Sequence, residues 1–369
     1  MEQNNLNTVI ESGCPHYTNC GGCSFRHIDS ENQRQIRTKN LLDLFSKHNL
    51  SVKDFQILYG KADGYRCRMQ LHNGGLKEKK SDNIVPIQDC PIATEEIRNW
   101  LKAVPPEKRP KGRITIFGDS RASKFNSPSE KIIISQETEN TKSQITGKTN
   151  RKIKNKVKKH YSGTVSDTDN LCSVTLKGFD NNQNTIEKKI LFDVRGFFQS
   201  NLEMTESLIS LILSNCNNSS SEDRVLDIYS GAGTFSTFLA EKFKHVTLVE
   251  HNRDALVYAE QNMLGLPHDS FGIKAELWAK NYAADYIKNN GNFKMALIDP
   301  PRSGMEKSVL EFLGKSLIPR ILSVSCNPVT QAENCAYLVQ QGYKLNKLYF
   351  LDFYPQTTHI ESLAILELE

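Results

Sequence analysis

The sequence lacks any long run of apolar residues, and its N-terminus lacks an export signal. Crossing a bilayer takes roughly 20 consecutive apolar residues, and no segment of the 369 residues approaches that length. The opening MEQNNLNTVIESGC has neither the basic nor the apolar region of a signal peptide. Hydrophobic residues make up 38% and charged residues 24% of the chain, as in ordinary globular proteins. These absences exclude a membrane protein and predict a cytoplasmic protein of two or three domains.

The nine cysteines do not form the pattern of a disulfide framework, because their number is odd and no export signal precedes them. Cys14, Cys20 and Cys23 are grouped in CPHYTNCGGC, and Cys90 follows far downstream in DCPI. Four thiolates suit either zinc or an iron–sulfur cluster. The two short C-x2-C units of a zinc ribbon are missing, so the three-plus-one spacing favours a cluster. Scattered reduced cysteines are the alternative interpretation.

Acidic residues are few in the first half of the chain. Residues 1–160 hold 29 Lys and Arg against 17 Asp and Glu, a net charge of +12, whereas residues 161–369 have a net charge of −7. The densest basic stretch, residues 142–160, has eight basic residues and no acidic one. This split favours a polyanionic partner such as a nucleic acid. A solvated lysine-rich loop is an equally good interpretation of the stretch taken alone.

Beyond residue 200 the sequence alternates between strand and helix patterns. This alternation predicts a doubly wound parallel sheet. The last two strands are separated by a loop rather than a helix, so we expect them to form an antiparallel edge. The strand patterns begin at residues 224, 245, 293, 320, 345 and 362, and the helix patterns cover residues 206–216, 253–263, 306–314 and 330–341.

The first strand of this series runs into a glycine turn, DIYSGAGTF. No third glycine follows Gly231 and Gly233 at the dinucleotide-binding spacing, and no Lys-Ser/Thr pair marks a phosphate-binding P-loop. Asp227 lies in this strand, and the next strand ends at Glu250, which can accept hydrogen bonds from both hydroxyls of a ribose. An acidic site suits a cationic cofactor such as S-adenosylmethionine, with NAD as the alternative at this point.

Residues that could take part in catalysis lie near the ends of the later strands, where open α/β sheets bind ligands. Asp299 begins DPPR, Cys326 lies in SCNP, and Glu361 ends HIE. A cysteine at such a position is a candidate nucleophile, and a nearby carboxylate is a candidate base. A lone cysteine is more often a buried apolar residue and a lone glutamate a solvated one. Their combination around one crevice indicates catalysis.

Taken together, these motifs make the sequence resemble the RNA uracil-5-methyltransferases, which make 5-methyluridine with S-adenosylmethionine. The resemblance covers nearly the whole chain and rests on motifs in the family's order. They are CPHYTNCGGC with DCPI, GYRCRMQLH, GFFQSN, DIYSGAGTF, VEHN, DPPRSG, VSCNP and PQTTHIES. The resemblance implies an α/β fold in three parts. We expect a small iron–sulfur lobe at 1–95 that also contributes to the centre, a β-rich RNA-binding domain at 96–200, and a Rossmann-like methyltransferase domain with a seven-stranded sheet at 201–369.

The resemblance also assigns roles to individual residues. Cys326 would be the nucleophile, which adds to carbon 6 of uracil, and Glu361 the base, which removes the proton from carbon 5. The cofactor would be bound by Gln199, Tyr229, Thr234, Glu250, Asn281 and Asp299. A 4Fe-4S cluster would be held by Cys14, Cys20, Cys23 and Cys90. Tyr229 and Thr234 stand where many relatives have Phe and Asn, which preserves an aromatic ring and a hydrogen-bonding group.

RNA is the implied substrate, and 23S ribosomal RNA is favoured over transfer RNA because transfer-RNA members generally lack the cluster cysteines. Only 13 residues precede Cys14, so we expect a member without the TRAM β-barrel, acting as a monomer. The target carbon is inaccessible in a stacked helix, so the uridine must be flipped or single-stranded. Phe197 or Phe198 could stack on a base or pack in the core. A redox iron–sulfur enzyme and a non-catalytic RNA-binding module explain fewer of the motifs.

Overall fold

The computed structural model describes residues 11–136, 168–216 and 222–369, and the basic stretch 142–160 lies outside them. In the described ranges no helix has the length and apolarity needed to cross a membrane. The helices there are α1 (Ser30–Lys47), α2 (Glu95–Ala103), α3 (Leu202–Ser214), α4 (Thr234–Leu239), α5 (Arg253–Asn262), α6 (Ala275–Asn281), α7 (Ala283–Asn290), α8 (Lys307–Lys315) and α9 (Pro328–Gln340). The strands are β1 (Asp54–Leu58), β2 (Arg68–His72), β3 (Leu76–Lys77), β4 (Ile84–Val85), β5 (Arg113–Gly118), β6 (Ala122–Lys124), β7 (Ile132–Gln136), β8 (Leu171–Phe179), β9 (Thr185–Asp193), β10 (Arg224–Ile228), β11 (His245–Val249), β12 (His268–Phe271), β13 (Met295–Ile298), β14 (Arg320–Ser325), β15 (Tyr343–Leu351) and β16 (Glu361–Leu368).

The largest sheet has the strand order β1-β15-β16-β14-β13-β10-β11-β12. Its neighbouring strands pair in parallel except around β16, which is antiparallel to both β14 and β15. Helices alternate with the strands from β10 onwards, as the apolar patterns predict. The doubly wound α/β fold is therefore confirmed.

This sheet differs from the expectation in two respects. It has eight strands in the described ranges rather than seven, because β1 pairs in parallel with β15 and places Asp54 opposite Lys347. The antiparallel strand β16 also lies inside the sheet rather than at its edge, because β15 and β1 continue beyond it. Segments so far apart in the chain leave no local pattern from which their pairing could be predicted.

Apolar side chains cover both faces of the large sheet, as a mainly parallel sheet requires. On one face, Val225 and Leu297 belong to a core that includes residues of α3, α4 and α5. On the other face, Leu226 and Ile298 belong to a core that includes residues of α1 and of α6 to α9. Because successive strand residues point to opposite faces, strands buried on both sides are continuous apolar runs, which is the pattern that predicts them.

Helix α1 packs on the large sheet, although it lies far from most of that sheet in sequence. Asp29 caps its N-terminus by accepting a hydrogen bond from the backbone N–H of Asn32 at 3.0 Å. One buried face recurs at every fourth residue, and we call it the α1 stripe: Gln33, Arg37, Leu41 and Phe45. Its apolar half, Leu41 and Phe45, is 0% exposed and lies in the core with the sheet. The structure thus joins α1 and β1 to the C-terminal half, whereas the sequence division places them in the lobe at 1–95.

The central part of the chain is rich in β-structure. One antiparallel sheet has the order β2-β5-β7 and shares a core with α2, and β3 pairs with β4. A second sheet, β6-β8-β9, packs on α3, where a Cβ on Gly178 would approach Cγ2 of Ile209 to 2.5 Å. The second sheet and α3 belong to one continuous core. The central and C-terminal parts therefore share buried surface rather than forming separate cores.

Replacing Phe45 by alanine tests whether α1 is part of the large sheet's core. We expect Phe45→Ala to lower the free energy of unfolding by about 3–5 kcal/mol, because it leaves a cavity between α1 and the sheet. Amide exchange in β15 should accelerate as well. Urea unfolding with hydrogen-exchange mass spectrometry measures both effects.

Phe125→Ala is the matched control, because Phe125 is 52% exposed and its truncation removes little buried surface. If Phe45→Ala unfolds only residues before β1 and leaves exchange in β15 unchanged, the N-terminal segment is not part of this core.

Candidate active site

The backbone between β10 and α4 turns sharply at the carboxyl end of the large sheet. Tyr229, Gly231 and Gly233 have φ angles of 67°, 54° and 75°. A Cβ on Gly233 would lie 3.2 Å from Ala259, so glycine lets the turn pack closely against α5. No described atom lies within 4 Å of the Cβ position of Gly231. The turn therefore leaves open space beside its backbone.

Glu250 fixes this turn from the neighbouring strand. Its Oε2 accepts a hydrogen bond from the backbone N–H of Gly231 at 2.9 Å, and its Oε1 accepts one from Asn252 at 2.6 Å. Glu250 is buried, and so is the Ser230 hydroxyl, which has no hydrogen-bond partner among the described residues. Buried polar groups are normally paired. An unpaired hydroxyl beside a carboxylate therefore indicates a site for a polar ligand.

Two more carboxyls line the same end of the sheet. Asp227 is 1% exposed and accepts a hydrogen bond from the Ser236 hydroxyl at 2.5 Å. Burial raises the pKa of Asp227 to about 7, and the charges of Asp299 and Glu250 add to the effect. Burial also raises the pKa of Asp299 to about 7. Such a concentration of acidic groups favours a cationic ligand.

The pairing of β14 with β16 brings Cys326 and Glu361 together. Ser325, the last residue of β14, lies opposite Ser362 in an antiparallel register. Cys326 directly follows Ser325 and Glu361 directly precedes Ser362, so the two residues lie at adjoining strand ends, and the charge of Glu361 acts on the Cys326 thiol. The structure therefore assembles the predicted nucleophile and base at the carboxyl end of β14, close to Asp299.

The charges around this pair oppose ionisation of both groups. Burial raises the pKa of Glu361 well above its ordinary value, the charge of Asp299 adds to the rise, and Arg302 opposes it. Burial also raises the pKa of the Cys326 thiol, with further contributions from Glu361 and Asp299. The Arg302 guanidinium acts in the other direction, through its charge and a hydrogen bond to the thiol. In the free protein at neutral pH the thiol is therefore protonated.

The predicted residue Gln199 lies in a segment that reaches this pair. The next residue, Ser200, forms a hydrogen bond with the phenol of Tyr354, and the charges of Glu361 and Cys326 are close enough to raise the pKa of that phenol. The Gln199 carbonyl accepts a hydrogen bond from the Cys67 thiol at 3.5 Å. The structure thus places Gln199 at the junction between the central part and the candidate catalytic pair.

The two phenylalanines before Gln199 have different environments. Phe198 is buried and stacks on Phe192, with ring centroids 3.6 Å apart. Phe197 is 75% exposed, and it is only two residues from Gln199. Phe198 is therefore a core residue, and Phe197 is the aromatic side chain available at the surface beside the site.

The remaining predicted cofactor residues have different environments. Thr234 is buried at the first residue of α4, directly after the glycine turn. The Tyr229 hydroxyl donates a hydrogen bond to the carboxylate of Glu306, the N-cap residue of α8. Asn281, in contrast, is exposed at the last residue of α6, and no hydrogen bond or ion pair in the described ranges joins it to the others. Sequence reasoning missed Glu306, because a single glutamate in a loop carries no signal.

The four grouped cysteines line one open cavity of about 800 Å³. They are Cys14, Cys20, Cys23 and Cys90, and none is in a disulfide. Burial, with the charges of neighbouring thiols, raises the pKa of Cys23 to about 11 and that of Cys90 to about 12. The cysteines fit a four-thiolate ligand set in donor type. Within the described ranges, however, no three His, Cys, Asp or Glu side chains are close enough together to hold a metal ion.

The same cavity has a lining that we call the basic wall, because it holds six Lys and Arg residues against two acidic ones, Glu78 and Asp89. His359, two residues before Glu361, lines it at one end. The charges of Arg302 and Arg66 act with burial to lower the pKa of His359. The cationic residues that line the cavity are Arg26, Arg66, Arg68, Lys77, Lys79 and Lys80.

Comparisons with known proteins agree with this geometry. A family model described as tRNA (Uracil-5-)-methyltransferase matches residues 279–369, which include both Cys326 and Glu361, and one described as ribosomal RNA adenine dimethylase matches residues 191–268. An uncharacterized RNA methyltransferase of Treponema denticola is 36% identical over 390 residues, which cover 96% of this chain and 83% of the relative. The chain belongs to the RNA uracil-5-methyltransferase family.

Two further similarities extend this result for the methyltransferase. A 23S rRNA (uracil(1939)-C(5))-methyltransferase RlmD of Aliivibrio fischeri is 29% identical and matches 96% of this chain and 81% of its own length. The solved structure of the Pyrococcus abyssi tRNA (uracil-54, C5)-methyltransferase with S-adenosyl-L-homocysteine has a TM-score of 0.63 at 20% identity. The matched region covers 94% of this chain and 86% of the chain in the solved structure. The fold of the methyltransferase is therefore shared along almost the whole chain.

The buried carboxyl of Asp227 gives this methyltransferase a pH-dependent cost in stability. An unfolded aspartate ionises with a pKa of about 3.9, whereas burial raises the pKa of Asp227 in the fold to about 7. The folded state therefore loses stability as the pH rises from about 4 to about 7, and the loss levels off above that at no more than about 4 kcal/mol. We expect Asp227→Asn, which keeps an acceptor for Ser236, to raise the melting temperature at pH 8 and to do so much less at pH 4.5.

Thermal melts of both proteins at the two pH values measure this difference. Asp285→Asn, on the exposed part of α7, is the control for loss of an acidic residue. An equal gain at both pH values would show that Asp227 is not the group that titrates.

Proposed function

We propose that the protein transfers a methyl group to carbon 5 of a uridine in 23S ribosomal RNA. In this proposal Cys326 is the nucleophile and Glu361 is the base. The observation that supports it is the pairing of β14 with β16, since Cys326 directly follows β14, Glu361 begins β16, and the charges of Glu361 and Asp299 both act on the Cys326 thiol. A thiol, a carboxyl of raised pKa and an acidic pocket next to them are the groups that this reaction requires.

S-adenosylmethionine is the proposed methyl donor, and it would supply an electrophilic methyl group on a positively charged sulfonium. Glu250 would accept a hydrogen bond from the ribose through its Oε2, which has one described donor, whereas Oε1 is contacted by both the Asn252 N–H and His251 Nδ1. The unpaired hydroxyl of Ser230 and the open space beside Gly231 fit a ligand there. Asp227 and Asp299 would favour the positive charge, and Gln199 and Thr234 would complete the pocket.

The proposed reaction begins at Cys326. The thiol must first pass its proton to solvent, and the thiolate sulfur can then bond to carbon 6 of uracil, which breaks the C5–C6 π bond and shifts its electrons toward carbon 5 and the carbon 4 oxygen. Arg302 is the cation that stabilises the thiolate, through its charge and hydrogen bond. Substrate binding excludes water from the crevice, so this contact should become stronger when the uridine is bound.

Glu361 would complete the reaction. After carbon 5 has accepted the methyl group, the carboxylate removes the proton that remains on that carbon, and the electrons of the broken C–H bond expel the Cys326 sulfur from carbon 6. The raised pKa of Glu361 makes its carboxylate a stronger base than an exposed glutamate. Asp299 opposes its ionisation and thereby contributes to that strength.

The choice of ribosomal RNA rests on the relatives that carry this name and share most of their length with the chain. A flipped uridine could enter beside Phe197, whose exposed ring would stack on a neighbouring base. The basic wall of the cavity next to His359 would bind phosphates of the flanking strand. A transfer RNA substrate is the second candidate, and the experiment below compares the two.

Paired variants test the covalent mechanism. We expect Cys326→Ala to abolish methyl transfer to uracil in 23S RNA, because no other group can add to carbon 6. Glu361→Gln should still transfer the methyl group to carbon 5 of uracil. Its turnover should fall about 10²–10⁴-fold, because the proton on carbon 5 is not removed. The methylated RNA should then remain attached to the protein through Cys326.

Denaturing electrophoresis of the labelled adduct and mass mapping of the nucleotide measure these outcomes. The double variant Cys326→Ala/Glu361→Gln is the control and should form no adduct. Methyl transfer that persists in Cys326→Ala contradicts the mechanism, and faster methylation of transfer RNA than of 23S RNA contradicts the substrate assignment.

We infer as well that Cys14, Cys20, Cys23 and Cys90 hold a 4Fe-4S cluster. Support comes from their common cavity, their reduced state and a donor set of four thiols. Within the described ranges, no three His, Cys, Asp or Glu side chains are close enough together to hold a metal ion. Cluster binding would therefore draw the four thiols closer together.

Protein purified without oxygen should contain about four iron atoms and four sulfides per chain. Cys90→Ser should lower both, because it removes one thiolate ligand. Cys216→Ser, at a buried cysteine outside the set, should not change them. Stoichiometric zinc in place of iron would show that the site is not an iron–sulfur site.

A further inference from the structure

The loop that joins β15 to β16 delivers the candidate base, and we call residues 352–360 the base loop. Glu361 is the first residue of β16 and follows this loop directly. Gln356 in the loop has a φ angle of +69°, a left-handed conformation that is unfavourable for a residue with a side chain and persists only where its surroundings hold it. The conformation of the loop therefore depends on contacts from outside it.

Helix α1 supplies two of these contacts through Gln33, and the backbone N–H groups of Ser24 and Phe25 supply two more to the Gln356 carbonyl, each at 2.9 Å. The Gln33 Oε1 accepts a hydrogen bond from the backbone N–H of Gln356 at 2.9 Å, and its Nε2 donates to the Gln356 Oε1 at 2.9 Å. The same Nε2 also donates to the carbonyls of Phe25 and Ile28, at 3.0 and 2.7 Å. Gln33 is 1% exposed. The polar atoms of this buried side chain therefore form hydrogen bonds with Gln356 of the base loop and with the segment just before α1.

Arg37, one turn further along the α1 stripe, holds the start of the base loop. Its Nη2 lies 2.8 Å from Asp352 Oδ1, and its Nη1 donates to the Tyr354 carbonyl at 3.3 Å. Asp352 also pairs with Arg34 at 3.0 Å. Arg37 and Asp352 are each 1% exposed, so this is a buried ion pair, and without Arg37 the Asp352 carboxylate would keep Arg34 as its cationic partner.

The polar half of the α1 stripe contacts the base loop, whereas its apolar half packs in the core of the large sheet. The helix thus transfers the rigidity of that core to a loop with an unfavourable backbone. Rigidity is required there, because the burial of Glu361 and the charge of Asp299 both act against an ionised carboxylate at this position. A loop free to relax would move the carboxylate toward solvent.

We propose that Gln33 and Arg37 are positioning residues, which hold the base loop in the conformation that presents Glu361 to Cys326. The proposal rests on the proposed function in that it takes Glu361 to be the base. Neither side chain is placed at the substrate, so both act through the loop. Their loss should impair the step that needs the base while leaving substrate binding largely intact.

Steady-state kinetics and adduct formation of the full-length protein with 23S RNA and S-adenosylmethionine test this proposal. We expect Gln33→Leu and Arg37→Met to lower kcat about 10- to 100-fold and to change both KM values less than about threefold, because a small displacement of a catalytic group slows chemistry more than binding. The RNA–protein adduct should accumulate, as it should when the base is removed. Arg37→Lys, which keeps the ion pair with Asp352, should recover part of the loss.

Two variants on the same helix serve as controls. Lys39→Met removes an exposed positive charge and should leave kcat unchanged. Leu41→Ala destabilises the core without touching the base loop, so it shows what general instability does to the kinetics. Amide exchange in residues 352–361, measured without RNA, should accelerate in Gln33→Leu and not in Lys39→Met.

The outcomes separate this proposal from the proposed function. Unchanged exchange in the base loop of Gln33→Leu overturns the positioning role whatever the enzyme acts on. So does a loss of kcat that only follows the unfolded fraction, as in Leu41→Ala. A wild-type protein that does not methylate uridine refutes the proposed function, and the exchange measurement then still decides whether α1 holds the loop.

Discussion

The antiparallel insertion of β16 between β14 and β15 is the constraint from which the geometry of the site follows. Side chains alternate along a strand, so a shift of one residue in this register would turn Glu361 away from Cys326. A bulge between Leu345 and Lys347 adds one residue to β15 and resets its pairing with β16 for the half of the strands that approaches the site. Backbone hydrogen bonds on both sides of β16 therefore determine where the carboxylate of Glu361 lies.

The acidic groups at the carboxyl end of this sheet are arranged at the expense of stability. Asp227, Asp299 and Glu361 are removed from water, and the charge of Asp299 makes ionisation of the other two less favourable. A fold selected for stability alone would place apolar residues there. Carboxyls with raised pKa values instead give a pocket that binds a cation and a base that competes for a proton bound to carbon. The surrounding structure must then hold these groups in place, and α1 contributes to that support through Gln33 and Arg37.

The parts of the fold that could be predicted from sequence are those with a local pattern. Strands β10, β11 and β13 are buried on both faces and therefore stand out as apolar runs between polar segments. Strand β1 does not stand out, because the short segment DFQIL acquires its role only by pairing with a strand near the other end of the chain. Helix α1 is also inconspicuous, because half of its buried stripe is polar.

The chemistry of the site was predictable to a similar extent. Strand ends converge in this topology. Cys326 and Asp299 each follow a strand and Glu361 stands where the last strand begins, so their types and positions suggested a shared crevice. The partners that adjust them have no such signal. Glu306 becomes a partner of Tyr229 only when α8 is in place, and the ion pair of Arg37 with Asp352 joins residues from opposite ends of the sequence.

The position of β1 at the edge of the large sheet also affects how the protein is made. Ribosomes add about 5–20 residues per second, so on the order of 15–60 s pass between synthesis of β1 and synthesis of its partner β15. During this interval the apolar half of the α1 stripe has no sheet to cover, and the nascent chain exposes it to chaperones. Because β16 follows β14 and β15 in the chain and inserts between them, the candidate catalytic pair forms only after all three strands have been made. A ribosome that stalls before β16 therefore releases a chain with a cofactor turn but no active enzyme.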